Sequence, residues 1–260
     1  MISCASPHDR PSLLERTRLS DYASSACAAL QRLRAAADAA QCGELLAEAA
    51  ACLGADAAFF TTFLRQDATQ ASYRSLLACD PGWGTEYAAQ GWFEDDPWLL
   101  HAMHSAEPVR ASALAMGTPR RQAFAEAAAR YGFRSAVIVP APSPKGQARV
   151  GVLVLGSHTA GYFEAEGYGV LEILAWPLAM ELQVWWHEHI RRELVERARI
   201  TDDDLVLLRY EDRGHTSKQI AIELKTLAKT IDCRFQRVSS KLAAPNRKAA
   251  VRLAKLYGLI

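Results

Sequence analysis

The apolar positions of the chain follow a helical rhythm at both ends and a strand rhythm in the middle. Residues 1–12, with two prolines and mixed polarity, read as a flexible tail. From Leu13 to about Ala51 the chain is rich in Ala, Leu, Glu and Arg, has no proline and has one glycine, Gly43. That composition favours helix. Leu30, Leu33 and Ala37 recur at helical spacing, and two helices are expected, with a break at Gln41-Cys42-Gly43. Ala57–Leu64 is apolar, aromatic and β-branched, so it predicts a strand. Tyr73–Cys79 predicts its partner across a polar turn at Arg65–Ala71, and Asp80-Pro81-Gly82 ends that strand and opens a short helix. Pro119–Tyr131 reads as a helix with proline in its first turn. Ser135–Pro140 and Arg149–Leu155 read as strands on either side of a turn at Pro142–Gly146. Glu166 to about Arg199 is one long helical stretch interrupted only by Pro177. Its face of Trp176, Leu182, Trp185 and Trp186 has two readings, core or dimer surface. The succession predicts an α-β-α sandwich around an antiparallel sheet over residues 13–187, then a charged linker over 188–199.

Residues 200–260 change grammar. Thr201 is placed to cap a helix whose first turn is Asp202-Asp203-Asp204, three carboxylates at the positive end of a helix dipole. Leu205, Leu208 and Val206 are its candidate apolar face, and Gly214 suits the left-handed residue after it. Thr216 then caps a second helix with Ile220, Ala221 and Leu224 inward. A third helix is expected over 228–242 and a fourth from Asn246 to Leu256. The third would present Lys229, Thr230, Arg234, Arg237 and Lys241 outward, with Asp232, Cys233 and Gln236 between them. This is the arrangement expected of a recognition helix entering a major groove, Arg and Gln reading bases and Lys holding phosphates; the other reading is four short helices that merely share a basic face. The fold class is therefore α+β: an N-terminal α-β-α sandwich followed by a four-helix helix-turn-helix domain.

Charge supports this division. The net charge of +1 hides 13 Lys/Arg against 7 Asp/Glu over residues 199–260, a balance of +6, while the rest of the chain stands at −5. A basic block on a mildly acidic body points to a polyanion as partner of the block alone. The six cysteines show no CxxC pair or regular spacing and read as reduced thiols. The N-terminus lacks a secretory pattern, and no apolar run approaches the roughly 18 residues of a membrane span. A cytoplasmic location follows as an expectation, with no membrane, cofactor or metal partner.

The C-terminal residues resemble the LuxR-type transcription factors. Thr201, Asp204, Leu208, Gly214, Thr216, Ile220, Ala221, Leu224, Thr230, Ile231, Lys241-Leu242, Asn246-Arg247 and Gly258-Leu259-Ile260 match that pattern in order. The departures are Asp202-Asp203 in place of a basic residue, Asp204 for Glu, Ala228 for a capping Ser and Arg234 where His is common. The resemblance implies DNA contacts from Thr216, Lys218, Lys229, Thr230, Arg234, Arg237 and Lys241.

Upstream, Trp83-x3-Tyr87-x8-Asp96-Pro97 is similar to the signature of the autoinducer-binding domain of quorum-sensing regulators. Taken alone, Trp83 and Tyr87 read first as core aromatics at i, i+4, and Asp96-Pro97 as a helix-start turn. The resemblance implies an acyl-homoserine lactone or related hydrophobic ligand. An indole N–H at Trp83 suits a lactone carbonyl, the Asp96 carboxylate suits an amide N–H, and Tyr87 packs and offers a hydroxyl. Three positions depart from the pattern: Cys79 stands for a second Tyr, Ala111 for a Trp beside the lactone, and Val154 for a polar residue. Tyr73, Trp92 and Trp98 are the candidate compensators. The resemblance further implies a homodimer on an inverted-repeat promoter site, with RNA polymerase as a further partner. Two alternatives stand beside it. One is an orphan regulator of the same type that is ligand-independent or takes a non-lactone signal. The other, far behind, is a thiol hydrolase using Cys79 with His101 or His104 as base and Asp96 as orienter. His187-x-His189 reads as a solvated pair.

Overall fold

The computed structural model describes residues 10–65, 71–143 and 149–260. The chain forms two compact units, one ending at Val184 and the other Trp185–Ile260. The N-terminal unit holds a five-stranded antiparallel sheet in the order β2-β1-β5-β4-β3. Its strands are β1 (Ala57–Arg65), β2 (Ala71–Ala78), β3 (Val109–Arg110), β4 (Ser135–Pro142) and β5 (Arg149–Ser157). The two turns expected at 65–71 and 142–146 fall largely outside the described residues.

Both faces of the sheet are covered. Phe59, Ala136, Ile138, Val152 and Val154 share one buried cluster with residues of α4 (Gly82–Ala89), α5 (Pro97–His104) and α6 (Pro119–Arg130). The alternate positions Phe60, Val137, Val139, Leu153 and Leu155 are buried as well. On that side α3 (Ala39–Leu53) packs on β1 and β2. The long helix α7 (Tyr168–Ala198) approaches β5 so closely that a side chain on Gly151 would collide with Gln183. This two-sided burial is why the strands read as continuous apolar runs and not as alternating ones. The α-β-α sandwich and the antiparallel sheet are as expected.

Some elements differ from the sequence reading. Three helices, not two, precede the sheet: α1 (Leu13–Thr17), α2 (Tyr22–Arg34) and α3. The break lies at residues 35–38, where the Asp38 side chain accepts from the Gln41 N–H and starts α3. Gln41-Cys42-Gly43 is inside that helix. The inward face of α2 is Tyr22, Ala26, Ala29 and Leu33, while Ala37 is exposed. Within α7, Trp176 is exposed whereas Leu182, Trp185 and Trp186 are buried. Residues 188–198 continue α7 as helix, so of the expected linker only Arg199, at φ 49°, leaves helical backbone.

The C-terminal unit contains the end of α7, then α8 (Asp202–Asp212), α9 (Ser217–Glu223), α10 (Ala228–Lys241) and α11 (Arg247–Leu256). Thr201 with Asp204, and Thr216 with Gln219, form reciprocal capping boxes, and Asn246 caps α11. Gly214 takes the left-handed conformation, φ +80°, after α8. The core is Leu205, Leu207, Leu208, Ile220, Ile231, Phe235, Val238, Ala250 and Ala254. Leu207, which the sequence reading left out, is buried, whereas Val206 is only half-buried. The residue that precedes α10 is Leu227, so Ala228 is its first helical residue and not its cap.

Candidate functional site

The motif at 83–97 builds the centre of the N-terminal unit. Trp83 and Tyr87 lie one turn apart on α4 and both point into the cluster, their ring centroids 5.5 Å apart. Asp96 is the N-cap of α5. Its Oδ1 accepts from the Trp98 and Leu99 N–H groups at 2.7 and 3.2 Å, and Pro97 takes the first helical position. Its Oδ2 accepts from the Tyr87 hydroxyl at 2.7 Å. Asp96 is 1% exposed. Burial pushes its carboxyl up to about 6, against the three donors that favour its charge. Tyr87 is driven well above the ordinary phenol value, first by burial and then by the Asp96 charge. A carboxylate so placed is an acceptor held ready inside an apolar shell, where each hydrogen bond is strengthened.

Donors surround it. The indole N–H groups of Trp83, Trp92 and Trp98 are buried and find no hydrogen-bond partner among the described residues. Buried donors without partners carry a desolvation penalty of about 1–3 kcal/mol each. Three in one cluster mark a place where acceptors from outside the chain would be favourable.

All eight residues expected at the ligand site converge here. Trp83, Tyr87, Trp98 and Val154 are buried members of the cluster, Tyr73, Cys79 and Ala111 pack on it half-buried, and Asp96 joins through Tyr87. Tyr73 also packs edge-on to Tyr87 and stacks on Phe93. The sequence reading missed Phe59, Phe124 and Phe133, whose rings lie 6.1, 5.6 and 5.9 Å from Trp83. Their signal was weak: Phe124 is a lone aromatic in an Ala-rich helix, and Phe133 sits in a turn.

Cys79, His101 and His104 each contact a backbone carbonyl. Burial, with the Asp80 charge, pushes the Cys79 thiol up to about 12, away from the thiolate that nucleophilic attack needs. Its Sγ–H contacts the Asp80 carbonyl at 3.7 Å. His101 and His104 are each 2.8 Å from a backbone carbonyl, of Glu107 and Leu100. Among the described residues no group of three His, Cys, Asp or Glu is placed to hold a metal ion, and no helix is long and apolar enough to cross a membrane.

In the C-terminal unit, Lys229, Asp232, Cys233, Gln236, Arg237 and Ser240 are the exposed positions of α10 and form one helical stripe. Thr230 and Arg234 flank it half-buried, and Thr216 and Lys218 are exposed at the start of α9. Lys241 is turned away. Its Nζ donates to Asp204 Oδ2 at 2.5 Å and to the Arg199 carbonyl at 2.7 Å, tying α10 to the start of α8. Burial opposes the Asp204 charge, but the Lys241 and Thr201 donors outweigh it and hold that carboxyl below its ordinary value.

The family model described as "Autoinducer binding domain" matches residues 38–176, more than half of the chain. The chain belongs to the autoinducer-binding domain family. The resemblance drawn from Trp83, Tyr87 and Asp96 is thereby borne out, and the whole buried cluster lies inside the matched span. Solved structures share the fold. SdiA of Escherichia coli is 20% identical over 92% of this chain and 99% of its own, with TM-score 0.71. SdiA in complex with octanoyl-rac-glycerol is 19% identical over 92% and 97%, TM-score 0.63. CepR2 of Burkholderia cenocepacia, described as an N-acylhomoserine lactone dependent LuxR family transcription factor, is 21% identical over 65% and 95%, TM-score 0.53. No curated protein matches the chain in sequence.

Proposed function

We propose that this member of the autoinducer-binding family is a signal-responsive, DNA-binding transcriptional regulator acting as a cytoplasmic homodimer. The N-terminal unit takes an acyl-homoserine lactone or a related acylated small molecule. The C-terminal module, 200–260, reads an inverted-repeat promoter site and works with RNA polymerase. The observation that carries the reading is the buried Asp96 carboxylate, paired with Tyr87, beside a buried cluster that holds three unpartnered indole N–H groups. An acylated lactone or ester offers carbonyl acceptors for indoles and apolar chain for the surrounding rings, and an acyl amide adds an N–H donor for Asp96. SdiA, one structural relative, is seen with octanoyl-rac-glycerol, which supports a ligand class wider than lactones.

A second reading has its own observation. The Trp83 ring meets six others, of Phe59, Tyr87, Trp98, Phe124, Tyr131 and Phe133. A cluster that fills itself in this way favours a ligand-independent regulator. Thermal unfolding of the full chain with graded acyl-homoserine lactones and with octanoylglycerol separates the two. A true ligand at 100 times its Kd adds about 2.7 kcal/mol to stability, and Trp83→Phe or Asp96→Asn weakens that gain. No gain with any of these compounds, together with no small molecule in mass spectra of the purified protein, would favour the ligand-independent reading.

A further inference from the structure

The exposed stripe of α10 contains one acid. Asp232 lies between Lys229 and Arg237, its side chain 56% exposed, on the face proposed to meet a polyanion. A carboxylate there repels phosphates, so backbone attraction gives it no use. It is nevertheless held. The Ser217 hydroxyl donates to Asp232 Oδ1 at 2.6 Å, and Arg247 Nη1 donates to the same oxygen at 3.3 Å. Arg247 is itself fixed from several sides. Nη1 donates to Ser217 Oγ at 2.8 Å, Nη2 lies 3.1 Å from Glu211 Oε2, and the guanidinium sits 3.6 Å over the Phe235 ring. Residues of α8, α9, α10 and α11 thus converge to set one rotamer of one exposed carboxylate. The hydrogen bonds from Ser217 and Arg247 both end on Oδ1 and leave Oδ2 out, on a side chain that is 56% exposed.

We propose that Asp232 is a specificity-determining residue, with Ser217 and Arg247 as its positioning residues, and that it accepts a hydrogen bond from the exocyclic amino group of cytosine in the major groove. This rests on the DNA-binding reading of 200–260. The carboxylate is acceptor-only, so it needs a donor on the base edge. Cytosine N4 and adenine N6 are the amino donors of the major groove. The adenine amino group has an acceptor on both sides, its own N7 and O4 of the paired thymine, which oppose a carboxylate, whereas the cytosine amino group has one, O6 of its paired guanine. Holding the carboxylate in advance lowers the ordering cost of the contact.

The test is selection from a pool of randomised duplex DNA by the full chain, with and without octanoyl homoserine lactone. Wild type, Asp232→Ala, Arg247→Gln and Ser217→Ala are compared, each first shown folded by thermal unfolding. Wild type is expected to enrich a motif with a G·C column that Asp232→Ala flattens by about tenfold while the other columns persist. Arg247→Gln and Ser217→Ala should relax the same column, whereas a purely structural role would lower all columns together. If Arg247→Gln does not fold, Ser217→Ala alone carries that comparison. An unchanged motif in Asp232→Ala overturns the assignment. Uniform loss in the folded positioning variants removes Arg247 and Ser217 from it. Enrichment of no shared sequence by wild type in either condition overturns the DNA-binding reading as well.

Discussion

At the residue scale, Asp96 is the group whose two tasks conflict. It must cap α5 as an acceptor, and it must do so without water. Its carboxyl rises from an ordinary 3.8 to about 6 because burial outweighs its donors. Between those values the folded chain keeps a proton that the unfolded chain has released. Stability from this group is therefore complete below 3.8 and is lost as pH rises through about 6. Asparagine caps a helix about as well as aspartate but has no proton to lose. The stability of wild type relative to Asp96→Asn should fall by about 3 kcal/mol between about pH 4 and pH 7. Denaturant unfolding at stepped pH reads this directly, and parallel curves for the two proteins would contradict it. A ligand N–H donating to Asp96 favours the charged form, so its affinity should fall as pH drops through about 6. Much of this site was legible beforehand, because Trp83, Tyr87 and Asp96-Pro97 are uncommon residues at fixed spacing on one short helix and the cap after it. Phe59, Phe124 and Phe133 were not, since a single phenylalanine in an apolar run looks the same whichever face it takes.

At the scale of elements, legibility followed punctuation. The helices of the C-terminal unit start at Thr201, Thr216 and Asn246, whose side chains satisfy backbone donors, and these starts are written in the sequence. The two-residue strand β3 has no such signal and is defined only by its pairing with Val137 and Ile138. The break expected at Gln41-Cys42-Gly43 lies before it, because the Asp38 side chain caps α3 while Gly43 stays within the helix. Helix α10 starts without a side-chain cap. Leu227 has the extended backbone of a cap residue, φ −93° and ψ 143°, and its side chain is 73% exposed. Leu227→Ser should raise the stability of the C-terminal unit by about 1 kcal/mol, since a hydroxyl gains a backbone donor and little apolar burial is lost. The midpoint of that unit's unfolding transition in urea measures it, with Leu227→Ala as the control lacking a hydroxyl. A drop with Ser comparable to that with Ala would mean the leucine side chain itself anchors the start of α10.

At the scale of the whole molecule, the charge division and the outer face of α7 point the same way. The acidic body carries the buried site, and the basic block carries the stripe of α10. Under the proposed function one module would read only a few base pairs, so useful affinity would require two modules held together. Val170, Ile173, Trp176 and Val184 are exposed along α7 within the N-terminal unit, with half-buried Met180 between them, and they recur every three to four residues. Large apolar side chains in one such stripe are unfavourable in water and mark an interaction surface. A two-fold axis would let the stripe bury itself against its own copy, as an isologous contact requires. Ile173 is 73% exposed and Trp176 47%, so replacing both by Glu removes little from the core of the chain. The double variant should sediment as a monomer at micromolar concentration while keeping its circular dichroism. Its affinity for a duplex with two half-sites should fall on the order of 100-fold, with binding to one half-site nearly unchanged. A variant that still sediments as a dimer would place the contact elsewhere, and a monomer that kept full affinity for the two-site duplex would show that the modules pair through the DNA instead.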